Sequence, residues 1–347
     1  FPSLLLRNSR KTGTGSSMPP VEQAGSSPVW GHAAVPFALL RTCKTGTESS
    51  MPPKVIVSSS FVWRASVLFA LLAVGAGFAA ADDGEGSFDK TLSVSGHVDL
   101  DVKTDSGGIS VVPGSGGTIK VHAILKAQRD WFGTGAGNVM ERINELERNP
   151  PIEQMGNHIR VGYVSDRNLL RGISMRLEIQ TPSDTEVQAR ADSGGIHVEG
   201  MRAVVNCRTD SGGIELHDIG AGVRAVADSG GIRIDHVDGS VFAKVDSGGI
   251  TARGIAGAVE AEADSGGVHI AQTKAAPVSA KTDSGGVTVS LAPGAGYDLK
   301  ADSDSGSIHM PGASDNGDES RHHKEAKVHG GGPLVQVRVS SGTVEID

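Results

Sequence analysis

Cysteine is scarce in this sequence. Cys43 and Cys207 are the two cysteines among 347 residues, and Cys43 precedes the segment that we predict to be removed on export, so a disulfide framework is excluded. Aromatic residues make up only 4% of the chain, whereas glycine occurs 48 times. This composition argues against a thick, conventional core. A repeat architecture with a thin, regular interior resolves the conflict.

An excess of basic charge is also lacking. The chain has 32 Lys and Arg residues against 40 Asp and Glu residues, which gives a net charge of −8. Charges of both signs are interspersed along the chain, so no basic patch is indicated. We therefore expect no nucleic-acid partner.

The first fifty residues do not have the composition of a folded domain. They are rich in Ser, Gly, Pro and Thr, and KTGTGSSMPP recurs there as KTGTESSMPP. We interpret residues 1–50 as a non-native upstream segment or a disordered one. Met51 is the more natural initiator.

From Met51 onward the chain has the layout of a secretory signal. Lys54 and Arg64 supply positive charge, residues 66–78 form an apolar run, and residues 79–81 are three alanines. The run is too short to span a bilayer. We predict a secreted, periplasmic or cell-surface protein with no transmembrane helix in its mature chain. The predicted boundaries are 51–81 for the signal peptide and 82–347 for the mature domain.

One tetrapeptide, Asp-Ser-Gly-Gly, organises the rest of the sequence. Variants of it, Asp-Ser-Gly-Ser and Ser-Ser-Gly-Thr, begin at Asp304 and Ser340. From Asp192 to Asp264 the spacing is 18 residues each time, which is the mark of a tandem repeat. The tetrapeptide itself begins at Asp105, Asp192, Asp210, Asp228, Asp246, Asp264 and Asp283.

Apolar residues alternate with polar ones on both sides of each tetrapeptide. Ile214 and Leu216 follow one corner, and Val223, Ala225 and Ala227 precede the next. A period of two on each side indicates two short strands per repeat, each with one buried face. Neither strand is stable alone, so successive coils must stack. We predict an all-β fold, a parallel two-sheet β-solenoid of about 18 residues per coil, with an inserted small α+β element near its N-terminal end.

The tetrapeptide has the chemistry of a corner. Asp and Ser side chains bond nearby backbone N–H groups, and glycine reaches positive φ without a Cβ penalty. No dinucleotide or Walker motif accompanies it, so we do not interpret it as a phosphate cradle. The predicted structural turn residues are Gly194, Gly195, Gly212, Gly213, Gly230, Gly231, Gly248, Gly249, Gly266, Gly267, Gly285 and Gly286.

Two long insertions fall opposite the glycine corners. The first, about 113–186, contains a predicted amphipathic helix over 138–148, and we expect it to pack against or cap the start of the solenoid. Its candidate strands are 118–125, 158–164 and 172–180. The second, about 311–333, is a polar segment that we predict to be a mobile loop.

These features resemble the bacterial putative-adhesin family of β-solenoid domains. The resemblance lies in tandem Ser-Gly-x-Ile corners, from 192–196 through 304–308, after a secretory signal and a strand-and-helix element. It covers roughly residues 88–347 and implies an exported protein with a role in adhesion. It brings no catalytic or binding residues. The uniform Asp-Ser-Gly-Gly and the long histidine-bearing loop depart from the family's pattern.

The stacked aspartates are the most distinctive chemical feature. Carboxylates about 4.8 Å apart repel by roughly 1 kcal/mol per neighbour in water. One interpretation is structural, with corner hydrogen bonds and solvent offsetting the repulsion. The alternative is a column of divalent cations such as Ca²⁺, which favours oxygen ligands. The candidate cation edge consists of Asp192, Asp210, Asp228, Asp246, Asp264 and Asp283. We predict no other cofactor.

Two further features have alternative interpretations. His322, His323 and His329 occur near Glu325, and a metal site there is weighed against a solvated loop, which we favour. Cys207 occupies an inward position that is Ala in the next three repeats, so we predict a buried, inert thiol and not a reactive one.

Adhesion and catalysis are the two functions to separate. We predict a non-catalytic, exported surface or periplasmic adhesin or scaffold that presents loops to an envelope or extracellular ligand, protein or polysaccharide. The alternative is a polysaccharide-binding or polysaccharide-cleaving β-helix protein. Its candidate residues would be Arg233, Asp235 and Arg253, which fall together on one sheet. Against catalysis, no nucleophile–base pair stands out and the surface lacks aromatic sugar platforms.

Overall fold

The computed structural model describes residues 84–128, 139–312 and 322–347. All of them belong to one compact unit, Gly75–Asp347. The predicted upstream segment 1–50 and the predicted signal peptide 51–81 lie outside the described residues, and both assignments stay predictions.

Two twelve-stranded sheets form this unit. With strands numbered along the chain, sheet A contains, in spatial order, β1 Glu85–Ser93, β4 Thr118–Ala127, β7 Ile173–Thr181, β3 Ile109–Pro113, β9 Ile196–Glu199, β11 Ile214–Ile219, β13 Ile232–Val237, β15 Ile250–Ile255, β17 Val268–Gln272, β19 Val287–Ser290, β24 Val344–Ile346 and β21 Ile308–His309.

Sheet B holds the other strand of each coil. In spatial order it contains β22 His323–Val328, β20 Tyr297–Ser305, β23 Leu334–Ser341, β18 Val278–Ser284, β16 Val259–Ser265, β14 Val241–Ser247, β12 Val223–Ser229, β10 Val205–Ser211, β8 Thr185–Ser193, β2 Val98–Ser106, β6 His158–Val161 and β5 Ile152–Met155.

The register follows the repeat directly. In sheet B, Val205 pairs with Val223, and Val223 with Val241, each 18 residues further along the chain. In sheet A, Ile214 pairs in parallel with Ile232. The apolar side chains of both sheets face each other and are buried, while the residues between them point outward. The predicted parallel two-sheet β-solenoid is confirmed.

A third inward column in sheet A was not predicted. Ile219 and Val237 are buried at 1% exposure, although the alternation would place them outside. The residue before each, Asp218 or His236, has a positive φ of 55° or 59°. This left-handed residue interrupts the alternation and returns the next side chain to the interior, and the register of β11 with β13 is kept because both strands have it. Ile219 and Val237 therefore pair with each other across the coils.

The insertion after β3 extends both sheets. Strands β7 and β4 of the insertion, together with β1 from before it, continue sheet A, and β4 and β1 are antiparallel to their neighbours. Strands β6 and β5 continue sheet B. Helix α1, Val139–Arg148, buries Ile143 and Leu146. Ile143 packs so closely on Gly86 that a Cβ there would lie 2.3 Å from its Cγ2. The expected element is present, and it lengthens the sheets as well as packing on them.

The last two coils are stacked out of chain order. Strand β23 lies between β18 and β20, and β24 lies between β19 and β21. We had expected each coil to stack on the one before it, and this is wrong for the C-terminal end. The glycine corners still align, because Ser341 pairs with both Ser284 and Ser305.

The second insertion is not simply a loop. Within 311–333, residues 323–328 form strand β22, which pairs antiparallel with β20. Lys300 Nζ donates to Glu325 Oε1 over 3.0 Å, and this hydrogen bond is the main cause that lowers the pKa of Glu325. One face of the strand is only half-buried, and its sequence is mostly polar, so the sequence did not indicate a strand. The prediction of a mobile loop is wrong for this part.

In the part of the chain that the structure describes, no helix has both the length and the apolar character needed to cross a bilayer.

Candidate functional site

The two edges of the solenoid differ in kind. The edge that carries the Asp-Ser-Gly-Gly corners repeats without insertion, and its ladder continues through the corner: Gly230 N donates to Ser247 O over 2.9 Å. At the opposite edge, which we call the variable edge, the chain adds the elements between β3 and β8 and between β21 and β23. Variation in the surface is therefore confined to one side.

The corner glycines are not equivalent. Gly212, Gly230 and Gly248, each first in its pair, have φ of 143°, 121° and 138°. A Cβ on Gly230 would lie 2.2 Å from the carbonyl oxygen of Gly212 in the neighbouring coil. A Cβ on Gly231 would lie 3.6 Å from the carbonyl oxygen of Gly249, an ordinary contact. Only the first position of the pair therefore requires glycine, because its φ is positive and a Cβ would clash there.

The aspartate column is neutralised in part by basic side chains. Arg208 Nη2 lies 3.1 Å from Asp228 Oδ1, and Arg208 Nε lies 3.8 Å from Asp210 Oδ1. A hydrogen bond to Glu262 is the main cause that raises the pKa of Lys244, and corner carboxylates add to it. These contacts favour the structural interpretation of the column. The alternative of bound Ca²⁺ stays a prediction.

The three C-terminal histidines do not converge. His322 Nδ1 lies 2.9 Å from the carbonyl oxygen of Ser303, and His329 Nδ1 lies 3.0 Å from that of Ala295. His323 Nδ1 lies 2.5 Å from Asp302 Oδ1. Each ring has its own partner, so the structure gives no support to a shared metal site.

Cys207 lies inside sheet B. Its Cα partners are Ala189 and Ala225 in the adjacent coils, and burial raises the pKa of its thiol to about 12. A thiol in this state is a poor nucleophile. The geometry agrees with an inert side chain.

A shallow groove lies along the variable edge on the outside of sheet B. It has a volume of about 360 Å³ and follows the first residues of β14, β16, β18 and β23. Phe242 lies on its floor with the Arg224 guanidinium 4.0 Å from its ring centroid. Leu334 is 48% exposed at its end. We call this feature the variable-edge groove. Its lining also includes Ser240, Glu260, Pro277, Ser279 and Gln336.

The residues of the catalytic alternative lie side by side on sheet A. Asp235 pairs with Arg253, and Arg233 with Thr251. The Oδ2 atom of Asp235 also lies 3.6 Å from Nδ1 of His217. The structure thus brings the three candidates together, but none of them lines the variable-edge groove or the groove beside His197 and Glu215.

Sequence reasoning missed one cluster on the same face. His197, Glu215 and His217 each place a possible ligand atom within 4.8 Å of the others. The 18-residue register could have found it, because Glu215 follows His197 by one coil and His217 follows Glu199 by one coil.

Several solved structures share features with this chain at low similarity. A putative adhesin from Bacteroides fragilis is 13% identical, with a TM-score of 0.36 over 76% of this chain and 97% of that chain. A putative cell adhesion protein from Clostridium sporogenes is 13% identical, with a TM-score of 0.22 over 75% and 99%. A putative adhesin from Parabacteroides distasonis is 11% identical, with a TM-score of 0.24 over 76% and 98%.

The family assignment comes from the sequence itself. The chain has no match among curated proteins. Residues 152–347, more than half of the chain, match the family described as Toastrack DUF4097. The match includes every coil from β8 onward, and it confirms the resemblance that the repeat corners indicated. The chain therefore belongs to the Toastrack DUF4097 family.

Proposed function

We propose that this protein is an exported, non-catalytic β-solenoid that binds an envelope or extracellular ligand along its variable edge. The observation that carries the proposal is the asymmetry of the two edges. One edge is occupied by close-packed glycine corners, whereas the other carries both insertions and the variable-edge groove. A rigid frame with variation confined to one side is typical of proteins that present a binding surface.

The chemistry of the variable-edge groove suits an extended ligand. Phe242 offers a ring face, stacked with Arg224 at 4.0 Å, and Leu334 offers an exposed aliphatic surface. Glu260 and Gln336 add polar groups beside them. An apolar floor with a few polar groups can hold either a sugar chain or an extended polypeptide. The ligand is accordingly a protein or a polysaccharide.

The test is retention of envelope material by the tagged full-length chain. The double variant Phe242→Ala, Leu334→Ser removes the apolar floor of the groove, so we expect a loss of at least about tenfold in the amount of ligand retained. Met155→Ser is the matched control, because Met155 is 63% exposed on β5, outside the groove.

Fractionation of the same cells tests export. We expect the tagged chain outside the cytoplasm, with Asp82 as its N-terminal residue by mass spectrometry. A chain that is free in the periplasm and retains nothing from envelope extracts would remove the adhesion proposal. Equal retention by the double variant would place the binding surface elsewhere.

The catalytic alternative is tested with the same preparation. If Arg233, Asp235 and Arg253 cleave polysaccharide, new reducing or unsaturated ends should accumulate from a panel of polysaccharides. We expect none above the level given by Asp235→Asn. Release that depends on Asp235 would replace the binding proposal with an enzymatic one.

A further inference from the structure

Two adjacent strands of sheet A bring two imidazoles and a carboxylate together. Glu215 on β11 is the Cα partner of His197 on β9, and His217 on β11 is the partner of Glu199. His197 Nδ1 lies 3.8 Å from Glu215 Oε2, and the ring centroids of His197 and His217 are 5.6 Å apart. One ligand atom from each of the three lies within 4.8 Å of the others.

Each imidazole also faces a second carboxylate through another ring nitrogen. Nε2 of His197 lies 3.6 Å from Glu199 Oε2. Nδ1 of His217 lies 3.6 Å from Asp235 Oδ2. In metal sites, a histidine ligand characteristically donates its remaining N–H to a carboxylate, which fixes the tautomer and the orientation of the ring. Both histidines place one ring nitrogen beside a carboxylate, at 3.6 Å and just beyond hydrogen-bond distance, which leaves Nδ1 of His197 and Nε2 of His217 for a metal.

The charge of the surroundings suits a divalent cation. Glu199, Glu215 and Asp235 contribute three carboxylates around the two rings, and the Cα partners of Glu215 and Asp235, Arg233 and Arg253, contribute two cations. Arg176 and Glu178 line the adjoining groove of about 480 Å³ and offset each other. An excess of negative charge therefore remains at the cluster.

We propose that His197, Glu215 and His217 bind one divalent transition-metal ion of the Zn²⁺ class. Two imidazoles and one carboxylate form a donor set that zinc accepts, with metal–ligand distances of about 2.0–2.2 Å. The backbone of β9 and β11 is held within a twelve-stranded sheet, so only side-chain rotations are needed to close the ligands around the ion. Three protein ligands leave one coordination position open toward the groove.

The described residues contain one other group with metal-ligand spacing, and it is a poorer candidate. His97, Asp99 and Glu186 supply a single imidazole. The His97 side chain is 61% exposed, and the same Nε2 atom faces both carboxylates, at 3.4 and 3.9 Å. This cluster serves as an internal comparison.

Metal titration of the full-length chain, stripped with EDTA and dialysed, tests the proposal. With Zn²⁺ in a calorimeter at pH 7.5 we expect one high-affinity equivalent. With Co²⁺ as the spectroscopic probe we expect visible absorption bands of a four- or five-coordinate ion. Ca²⁺ should not compete, because imidazole ligands disfavour it.

The variants separate this site from other histidines. His197→Ala and His217→Ala should each lower the Zn²⁺ affinity by about 100-fold and abolish the Co²⁺ bands, while Asp235→Asn should lower the affinity by about tenfold. His269→Ala is the matched control, because His269 lies in the same outward column of sheet A as His197 but outside the cluster. It should leave binding unchanged. Circular dichroism checks that each variant is folded.

Three outcomes would overturn the proposal. The first is the absence of a stoichiometric Zn²⁺ site, which would mean that the cluster only forms imidazolium–carboxylate ion pairs. The second is tight binding that survives His197→Ala and His217→Ala but is lost in His97→Ala. The third is weak binding of several ions that is reduced equally by every histidine variant, which would indicate nonspecific binding.

Discussion

At the scale of single residues, the first glycine of each corner is the position that least tolerates substitution. Gly230 has a φ of 121° and its backbone lies against the carbonyl group of Gly212. An added methyl group there meets backbone atoms on a neighbouring coil, and these cannot move without displacing the ladder. Gly231, next in the chain, has room for a Cβ.

We predict that Gly230→Ala destabilises the fold by about 3 kcal/mol or more, because it combines backbone strain with a steric clash. Gly231→Ala should change the free energy of unfolding by less than about 1 kcal/mol. Urea denaturation of the two variants measures the difference. Equal effects would mean that the corner is not the close contact described above.

The third inward column of sheet A could not be predicted, because different residue types occupy the position before it. The left-handed position is filled by Gly200, Asp218, His236 and Gly254 in successive coils. Only two of the four are glycines, so the sequence carries no uniform mark of the left-handed position. The conformation is imposed by the gain from burying the residue that follows it, such as Ile219.

At the scale of strands, the sequence predicts the strands of each coil, but it does not predict the order in which the last two coils stack. Val335, Val337 and Val339 have the same alternation as every other strand of sheet B, so they fit between any two coils equally well by pattern. The pattern does not encode which coil they join: β22 pairs antiparallel with one side of β20, and β23 pairs with the other side of β20 and with β18. Such a choice depends on distant contacts that periodicity does not encode.

The position of β23 gives a prediction about the C-terminal strands. Val337 is fully buried between Ala280 and Ala301. A carboxylate there has no partner, so Val337→Asp should destabilise the protein by more than about 3 kcal/mol and increase hydrogen exchange in both β18 and β20.

The adjacent residue provides the control for that experiment. The Arg338 side chain is 63% exposed and points outward. Arg338→Asp introduces the same charge on the same strand, and we expect a change within about 1 kcal/mol. Enhanced exchange confined to β20, with β18 still protected, would contradict the interleaved order.

At the scale of the whole molecule, the stacked aspartates place like charges close together in successive coils. Arg208 bridges two successive corners and Lys103 lies 3.4 Å from Asp105. Because basic side chains of the protein already offset the repulsion, we expect millimolar Ca²⁺ or EDTA to shift the melting midpoint of metal-stripped protein by less than about 1 °C. A rise of several degrees with Ca²⁺ would restore the cation interpretation, since a ligand that binds the native state stabilises it.

The repeat therefore predicts the solenoid, its corners and its sheet register, because one period specifies every coil. It also sets which outward residues lie side by side, but it does not by itself specify which of these neighbours form a site. His197 and Glu215, like His217 and Asp235, are Cα partners through the 18-residue register, whereas the approach of the His197 and His217 rings also depends on side-chain rotation. The variable-edge groove depends on β23, whose place the period leaves open.

Strands β23 and β24 lie between strands that precede them in the chain, and this affects the order in which the solenoid can fold. Residues 334–347 are synthesised after the strands that flank them, yet they occupy an interior layer of both sheets. A chain interrupted before them would hold a vacant layer, flanked on each side by backbone groups without partners. The same segment of a second molecule fits this vacant layer as well as the chain's own segment does. Two molecules could therefore exchange residues 334–347 at this step of folding.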